Sequence, residues 1–161
     1  MLITILLLII AASLAISVVS GAPFLPTHDT IVSKMVELAK NKPAALVADV
    51  GAGNGKILIA LARQGITAHG YEINPWLWLW AKIKIWRAGV GDKAIIRLAN
   101  FWSTDFSRYD TVIIFGLDKI MGGLETKLLK ELKPHSLVIS NIFQFPNWKG
   151  QKDGPLYVYR N

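Results

Sequence analysis

Three glycines at alternate positions, Gly51, Gly53 and Gly55, separate an apolar run from a helical pattern, and they constrain this chain more than any other feature. Leu46 to Val50 reads as a buried parallel strand, and Lys56 to Arg63 repeats apolar residues at helical spacing. A strand that passes into a helix over glycines lets backbone N–H groups approach a ligand with no side chain in the way. The next predicted strand, 66–72, ends on an acid, Glu72. An acid at that place can accept hydrogen bonds from both hydroxyls of a ribose. The plain alternative is a tight strand-to-helix connection without a ligand, and the paired acid argues against it.

The dinucleotide fingerprint requires Gly-x-Gly-x-x-Gly facing a pyrophosphate. Here Lys56 stands where its last glycine would be, and Asp49 precedes the loop. A carboxylate at that point repels a pyrophosphate. It can accept hydrogen bonds from an ammonium-bearing ligand, or orient the loop.

Strand and helix signals alternate along the rest of the chain. Strands are predicted at 46–50, 66–72, 94–99, 111–115, 136–141 and 156–160. Helices are predicted from His28-Asp29 to about Lys40 and near 55–64, 75–88 and 123–132. This alternation implies an α/β fold with a mostly parallel sheet, helices on both faces and an antiparallel last strand. Candidate ligand groups fall at strand ends: Asp49 and the glycines, Glu72, Asn100 with Phe101, and Phe115. In open α/β sheets ligands bind at that edge, where the strand order reverses.

Asp49-x-Gly51-x-Gly53-x-Gly55, followed by Glu72, resembles the first two motifs of class I S-adenosylmethionine-dependent methyltransferases. Further segments sharpen the likeness: Phe24-Leu25-Pro26-Thr27, Gly70-Tyr71-Glu72-Ile73-Asn74-Pro75-Trp76, Trp86-Arg87-Ala88-Gly89, Asn100-Phe101-Trp102 and Leu132 to Asn141. Together they are similar to the membrane-anchored protein-lysine methyltransferases of the ATP synthase c-subunit and the adenine nucleotide translocase, which have small prokaryotic relatives. The resemblance implies a shortened Rossmann-like methyltransferase sheet and S-adenosylmethionine as cofactor. It places Gly51 and Gly53 under the methionine portion, Glu72 on the ribose and Asn100 with Phe101 at adenine. Phe24, Pro26 and Thr27 would close over the methionine end. Asn141 and Asp118 are the polar groups expected to meet an incoming lysine amine. Asp118 also marks a departure, since relatives are expected to carry proline there. Reading the residues alone, Phe-x-Pro-Thr is a linker with a helix-start signal, and Asn100, Asn141 and Asp118 are turn or capping residues.

At 161 residues the chain has room for one domain and an appendage. Hydrophobic residues make up 52%, and the excess lies at the start, where Leu2 to Val19 carries no charge. As a helix that run would span roughly 27 Å, close to the hydrocarbon thickness of a bilayer. The expected organisation is a membrane anchor over 1–20 (with an uncleaved or cleaved signal peptide as alternative), a linker and short helix over 21–44, and the cofactor-binding domain over 45–161. Lys34, Lys40 and Lys42 follow the apolar run and predict a catalytic domain facing the cytoplasm. The formal charge of +7 comes from dispersed residues, which favours a lipid surface over nucleic acid as partner. With no cysteine and three scattered histidines, no metal site is expected. Trp76 and Trp80 share a helix face, and core packing is the expected role of most tryptophans in that helix, with one at a lipid interface.

These features converge on methyl transfer to a lysine of a membrane-associated protein. Two other functions stay open: methylation of a small lipid-soluble molecule, and a non-catalytic cofactor-binding membrane module.

Overall fold

The computed structural model describes Thr4 and residues 27–40, 45–115 and 118–161. The anticipated anchor, together with Phe24 and Pro26, lies outside the described residues. Among those described, no helix is long and apolar enough to cross a membrane.

The chain alternates as the hydrophobic periods predict: α1 (Asp29–Lys40), β1 (Leu46–Val50), α2 (Lys56–Arg63), β2 (Thr67–Glu72), α3 (Pro75–Arg87) and β3 (Ala94–Leu98). A 3-10 turn (Phe101–Ser103) leads to β4 (Thr111–Ile114), α4 (Asp118–Glu131), β5 (Leu137–Asn141), β6 (Gln151–Asp153) and β7 (Leu156–Arg160). The strands form one sheet in the order β3-β2-β1-β4-β5-β7-β6. The first five run parallel, and β7 pairs antiparallel with both β5 and β6. Strand order reverses between β1 and β4, which opens a crevice at their carboxyl ends.

Alternation along β1 divides the core between the two faces. Val47 joins Met35 of α1, Leu58 and Leu61 of α2 and Ile85 of α3 on one side. Ala48 and Val50 join Phe106, Tyr109 and the α4 residues Leu124 and Leu128 on the other. Three helices thus cover the first face and one α-helix the second.

The sheet itself is not shortened, contrary to the expectation from sequence. It has a seventh strand, β6, whose Gln-Lys-Asp residues are exposed throughout and carry no apolar period to reveal them. The shortening falls on the second helical layer. Only a 3-10 turn connects β3 to β4, and aromatic side chains replace a helix after β5. Phe145 and Trp148 stack at 5.5 Å and pack on Tyr159 at 4.8 and 5.3 Å. A second difference is the start of α4 at Asp118, five residues before the predicted start at 123.

Beneath the crevice, the Tyr109 hydroxyl meets His69 Nδ1 at 2.9 Å, the Tyr71 hydroxyl at 2.5 Å and Arg108 Nη2 at 3.1 Å. This buried network ties the middle of β2 to the segment entering β4. Burial and the Tyr71 hydrogen bond push the Tyr109 hydroxyl up to about 12, so it stays protonated.

Gly70 fixes how closely α2 approaches β2. A Cβ there would stand 2.5 Å from Leu58 Cδ1 and 2.7 Å from Ala52 Cβ. Gly70→Ala is expected to destabilise the fold by about 1–3 kcal/mol through overpacking. Urea unfolding should show a lower midpoint with an unchanged slope.

Candidate active site

The turn after β1 takes its shape from three left-handed residues: Gly51, Gly53 and Gly55 have φ of 76°, 54° and 75°. A Cβ imposes a steric penalty in that region, so the alternating glycines follow from the backbone path. The Tyr71 carbonyl accepts from Gly51 N–H at 3.0 Å and Ala52 N–H at 3.1 Å, holding the loop against β2. Glu72 then binds the loop from the strand end. Its Oε2 accepts from Gly53 N–H and its Oε1 from Asn74 N–H, both at 2.8 Å. The carboxylate keeps acceptor capacity for a hydroxyl.

Asp49 lies under this loop, 2% exposed, and its Oδ2 has no hydrogen-bond partner. Burial, and secondarily the charge of Glu72, pushes its carboxyl up to about 7. Burial also raises Glu72, while hydrogen bonds from the Asn74, Gly53 and Ile73 backbone oppose that shift. Two buried carboxyls, one with an orphaned oxygen, suit a cationic ligand. They do not suit a pyrophosphate.

A pocket of about 340 Å³ opens between the start of α1 and the ends of β4 and β5, lined by Thr27, His28, Ile31, Phe115, Asn141 and Ile142 among others. Three residues chosen from sequence, Thr27, Phe115 and Asn141, therefore meet here. Asn141 is buried and its Oδ1 lacks a partner. Ile142, next to it, has φ of 70°. For a β-branched residue this is a strained conformation of the kind found at ligand sites. Ile142 N–H donates to the Pro155 carbonyl at 2.8 Å, and Pro155 also lines the pocket.

The remaining sequence candidates take other places. Asn100 Oδ1 caps the 3-10 turn by accepting from Trp102 N–H at 3.1 Å, and Phe101 is buried beside it. Asp118 is exposed in the first turn of α4 and does not line the Asn141 pocket. Lys56 gains a role that its sequence position showed only as a missing glycine. Its ammonium pairs with Asp29 Oδ1 at 2.9 Å and donates to the Thr27 carbonyl at 2.5 Å, fastening the head of α1 over the loop. His28, Ile142 and Pro155 carried no motif, since only the packing of distant segments makes them neighbours.

A sheet of this order, with a glycine turn after β1 and an acid closing β2, defines the class I methyltransferase fold. Residues 49–152 match the family described as the ANTKMT methyltransferase domain, and the chain belongs to that family. It is 40% identical over 126 residues to the human ATP synthase c-subunit lysine N-methyltransferase, covering 78% of this chain and 54% of that protein. It is 36% identical to a protein-lysine N-methyltransferase of Saccharolobus islandicus (strain REY15A), covering 82% of this chain and 83% of the other. The chain spans about half the length of the vertebrate relatives it matches. Among solved structures, an RNA methyltransferase from Salinibacter ruber in complex with S-adenosyl-L-homocysteine superposes with a TM-score of 0.77 at 30% identity, covering 84% of this chain and 92% of that one.

Asp49 makes stability pH-dependent. Folding raises its carboxyl from 3.8 to about 7, so across that window the native state binds more protons than the unfolded chain. Stability therefore falls as pH rises from about 4 to about 7 and levels off above, a loss on the order of a few kcal/mol. Asp49→Asn removes the penalty. Thermal unfolding should show this variant gaining more over the parent at pH 8 than at pH 5, and a uniform gain would contradict the assignment.

Proposed function

We propose that this protein transfers a methyl group from S-adenosylmethionine to the ε-amine of a lysine on a membrane-associated protein. The observation that carries the reading is the placement of two of the three orphaned buried oxygens among the described residues near the carboxyl ends of the strands, one on Asp49 beside the glycine turn and one on Asn141 in the pocket, whereas the third, Thr111 Oγ1, lies at the opposite end of β4. The first fits a cationic cofactor, and the second fits an amine. The names of the family and of the relatives at 36–40% identity support the same choice.

When bound, S-adenosylmethionine supplies an electrophilic methyl group on a sulfonium sulfur. Gly51 to Gly55 and Asp49 would hold its methionine end, and Glu72 would accept from the ribose hydroxyls. Asn100 keeps its Nδ2 for a base edge, with Phe101 packed beside it. In the pocket, Ile31, Phe115 and Pro155 desolvate an aliphatic lysine stem, which lowers the pKa of its ammonium and favours the neutral nucleophile. Asn141 Oδ1 accepts an N–H of that amine and fixes the nitrogen. Thr27 and His28 wall the entrance, and Asp118, exposed at the head of α4, attracts the cationic side chain from solvent.

Residues 2–19 would hold the domain at a bilayer with its catalytic face toward the cytoplasm. Their lack of charge and the lysines that follow support this reading.

A second reading, methylation of RNA, draws on the name of the Salinibacter ruber structure. The relatives at 36–40% identity support the lysine reading instead, since their names give lysine as the methylated group.

Incubation with methyl-labelled cofactor, membrane extract and total RNA separates the two. Label should appear on protein lysine, and label confined to RNA would overturn the proposal. Asn141→Ala should lower kcat about ten-fold, the worth of one hydrogen bond. Its affinity for S-adenosylhomocysteine should change little. Glu72→Ala should instead weaken binding of that compound at least about ten-fold by calorimetry.

A further inference from the structure

Helix α3 turns its largest apolar side chains away from the sheet. The core takes only Ala81 and Ile85 as fully buried residues. Trp76, Leu79, Trp80, Ile83 and Trp86 recur at three- and four-residue spacing and therefore share the opposite face. All five are exposed, Trp80 at 55% and Trp86 at 79%. Core packing is the role the sequence leads one to expect of most of these tryptophans, and the structure corrects this. Of the four, only Trp78 packs inward, its Nε1 donating to the Ile96 carbonyl at 3.4 Å. The reason is geometric: α3 meets α2, β2 and β3 along one narrow line, and small Ala81 sits at the closest approach, against Gly55.

A contiguous exposed stripe of large apolar side chains marks an interaction surface. Five of the nine large apolar side chains exposed among the described residues lie on this one helix. Indole rings in such numbers suit the headgroup boundary of a bilayer, where an apolar body and a polar N–H are both satisfied.

Charge frames the stripe. Lys82 flanks one side, its ammonium 5.0 Å from the centre of the Trp78 ring, and Lys84 flanks the other. Beside Trp80 and Ile83 a groove of about 540 Å³ runs between α3 and α1 over α2. Arg63, Lys84 and Arg87 line it, and none of the three has a carboxylate partner among the described residues. Lys56 also lines it, with its charge already committed to Asp29. Burial, and then the charge of Lys56, lowers the Lys84 ammonium, so an anion in the groove would relieve an unmet demand.

Asp29, Val32 and Ser33 of α1 form the remaining wall. Only residues 20–28 separate that helix from the uncharged run 2–19. Nine extended residues reach at most about 30 Å, which bounds the separation between the end of that run and the head of α1.

We infer that the exposed face of α3 and the adjoining basic groove form a docking surface for an anionic lipid bilayer, the indoles entering the headgroup boundary and Arg63, Lys84 and Arg87 binding lipid phosphates. This deepens the membrane location in the proposed function and assigns the orientation of the domain to α3. With α3 against the lipid, its first turn, which begins at Pro75 three residues after Glu72, places the crevice mouth beside the membrane surface.

The test uses the full chain with vesicles of brominated phosphatidylcholine, alone or mixed with brominated phosphatidylglycerol. Bromine quenches indole emission within the bilayer boundary. Emission should be quenched in the mixed vesicles, less so in the neutral ones, and the difference should vanish at high salt. Trp80→Phe with Trp86→Phe should remove most of the quenching and leave affinity for S-adenosylhomocysteine unchanged. Arg63→Gln with Arg87→Gln should weaken the anionic-lipid-dependent component by roughly 30-fold, about five-fold per charge. A full chain that sediments with vesicles but keeps its quenching in the tryptophan variant overturns the docking face and spares the membrane location. Failure to sediment with either vesicle overturns both. A lipid-free dimer that Trp80→Ser dissociates would assign the face to a second copy and also overturn the inference.

Discussion

Two hydrogen bonds hold this site together: Gly51 and Ala52 donate to the Tyr71 carbonyl, and so dock the glycine turn on β2. Everything functional in the crevice is referenced to that contact. It sets the loop close enough for Gly53 N–H to reach Glu72, and it roofs Asp49 away from water. Tyr71 can serve as the anchor because its own side chain is fixed from below by Tyr109, which His69 and Arg108 also engage. A polar network under one strand thus reaches the cofactor loop through the backbone of a single residue.

The buried carboxyls have a cost that the ligand is positioned to offset. Asp49 and Glu72 are both desolvated and both shifted upward. The crevice is therefore electrostatically incomplete by itself, and a cation there restores the ionised form of Asp49. The same logic holds on a smaller scale in the pocket, where Asn141 Oδ1 has no protein group to satisfy it. Polar atoms left without partners in the interior are uncommon, and of the three among the described residues two, on Asp49 and Asn141, lie near the carboxyl ends of β1 and β5.

Much of this was legible in the sequence, for identifiable reasons. The glycine turn and Glu72 are local features, and their spacing carries the chemistry. β1 and β7 are short, largely apolar runs bounded by turn residues, which is why they fall where the pattern puts them. The parts that escaped are non-local. β6 consists of Gln151, Lys152 and Asp153 and exists only because β7 offers it an edge. Ile142, His28 and Pro155 become pocket residues through the meeting of α1, β5 and the last hairpin. The tryptophans of α3 misled because hydrophobicity was equated with burial, whereas the narrow contact line at Ala81 leaves most of the helix outside.

One wall of the pocket is Pro155, and β7, which follows it, lies between β5 and β6 in the sheet. Lys34 and Asp153 form an ion pair that clasps the same hairpin to α1. The crevice and the pocket thus depend on different parts of the chain: residues 49 to 101 supply the first, whereas the second is walled only once the β6–β7 hairpin packs on β5 and is clasped to α1.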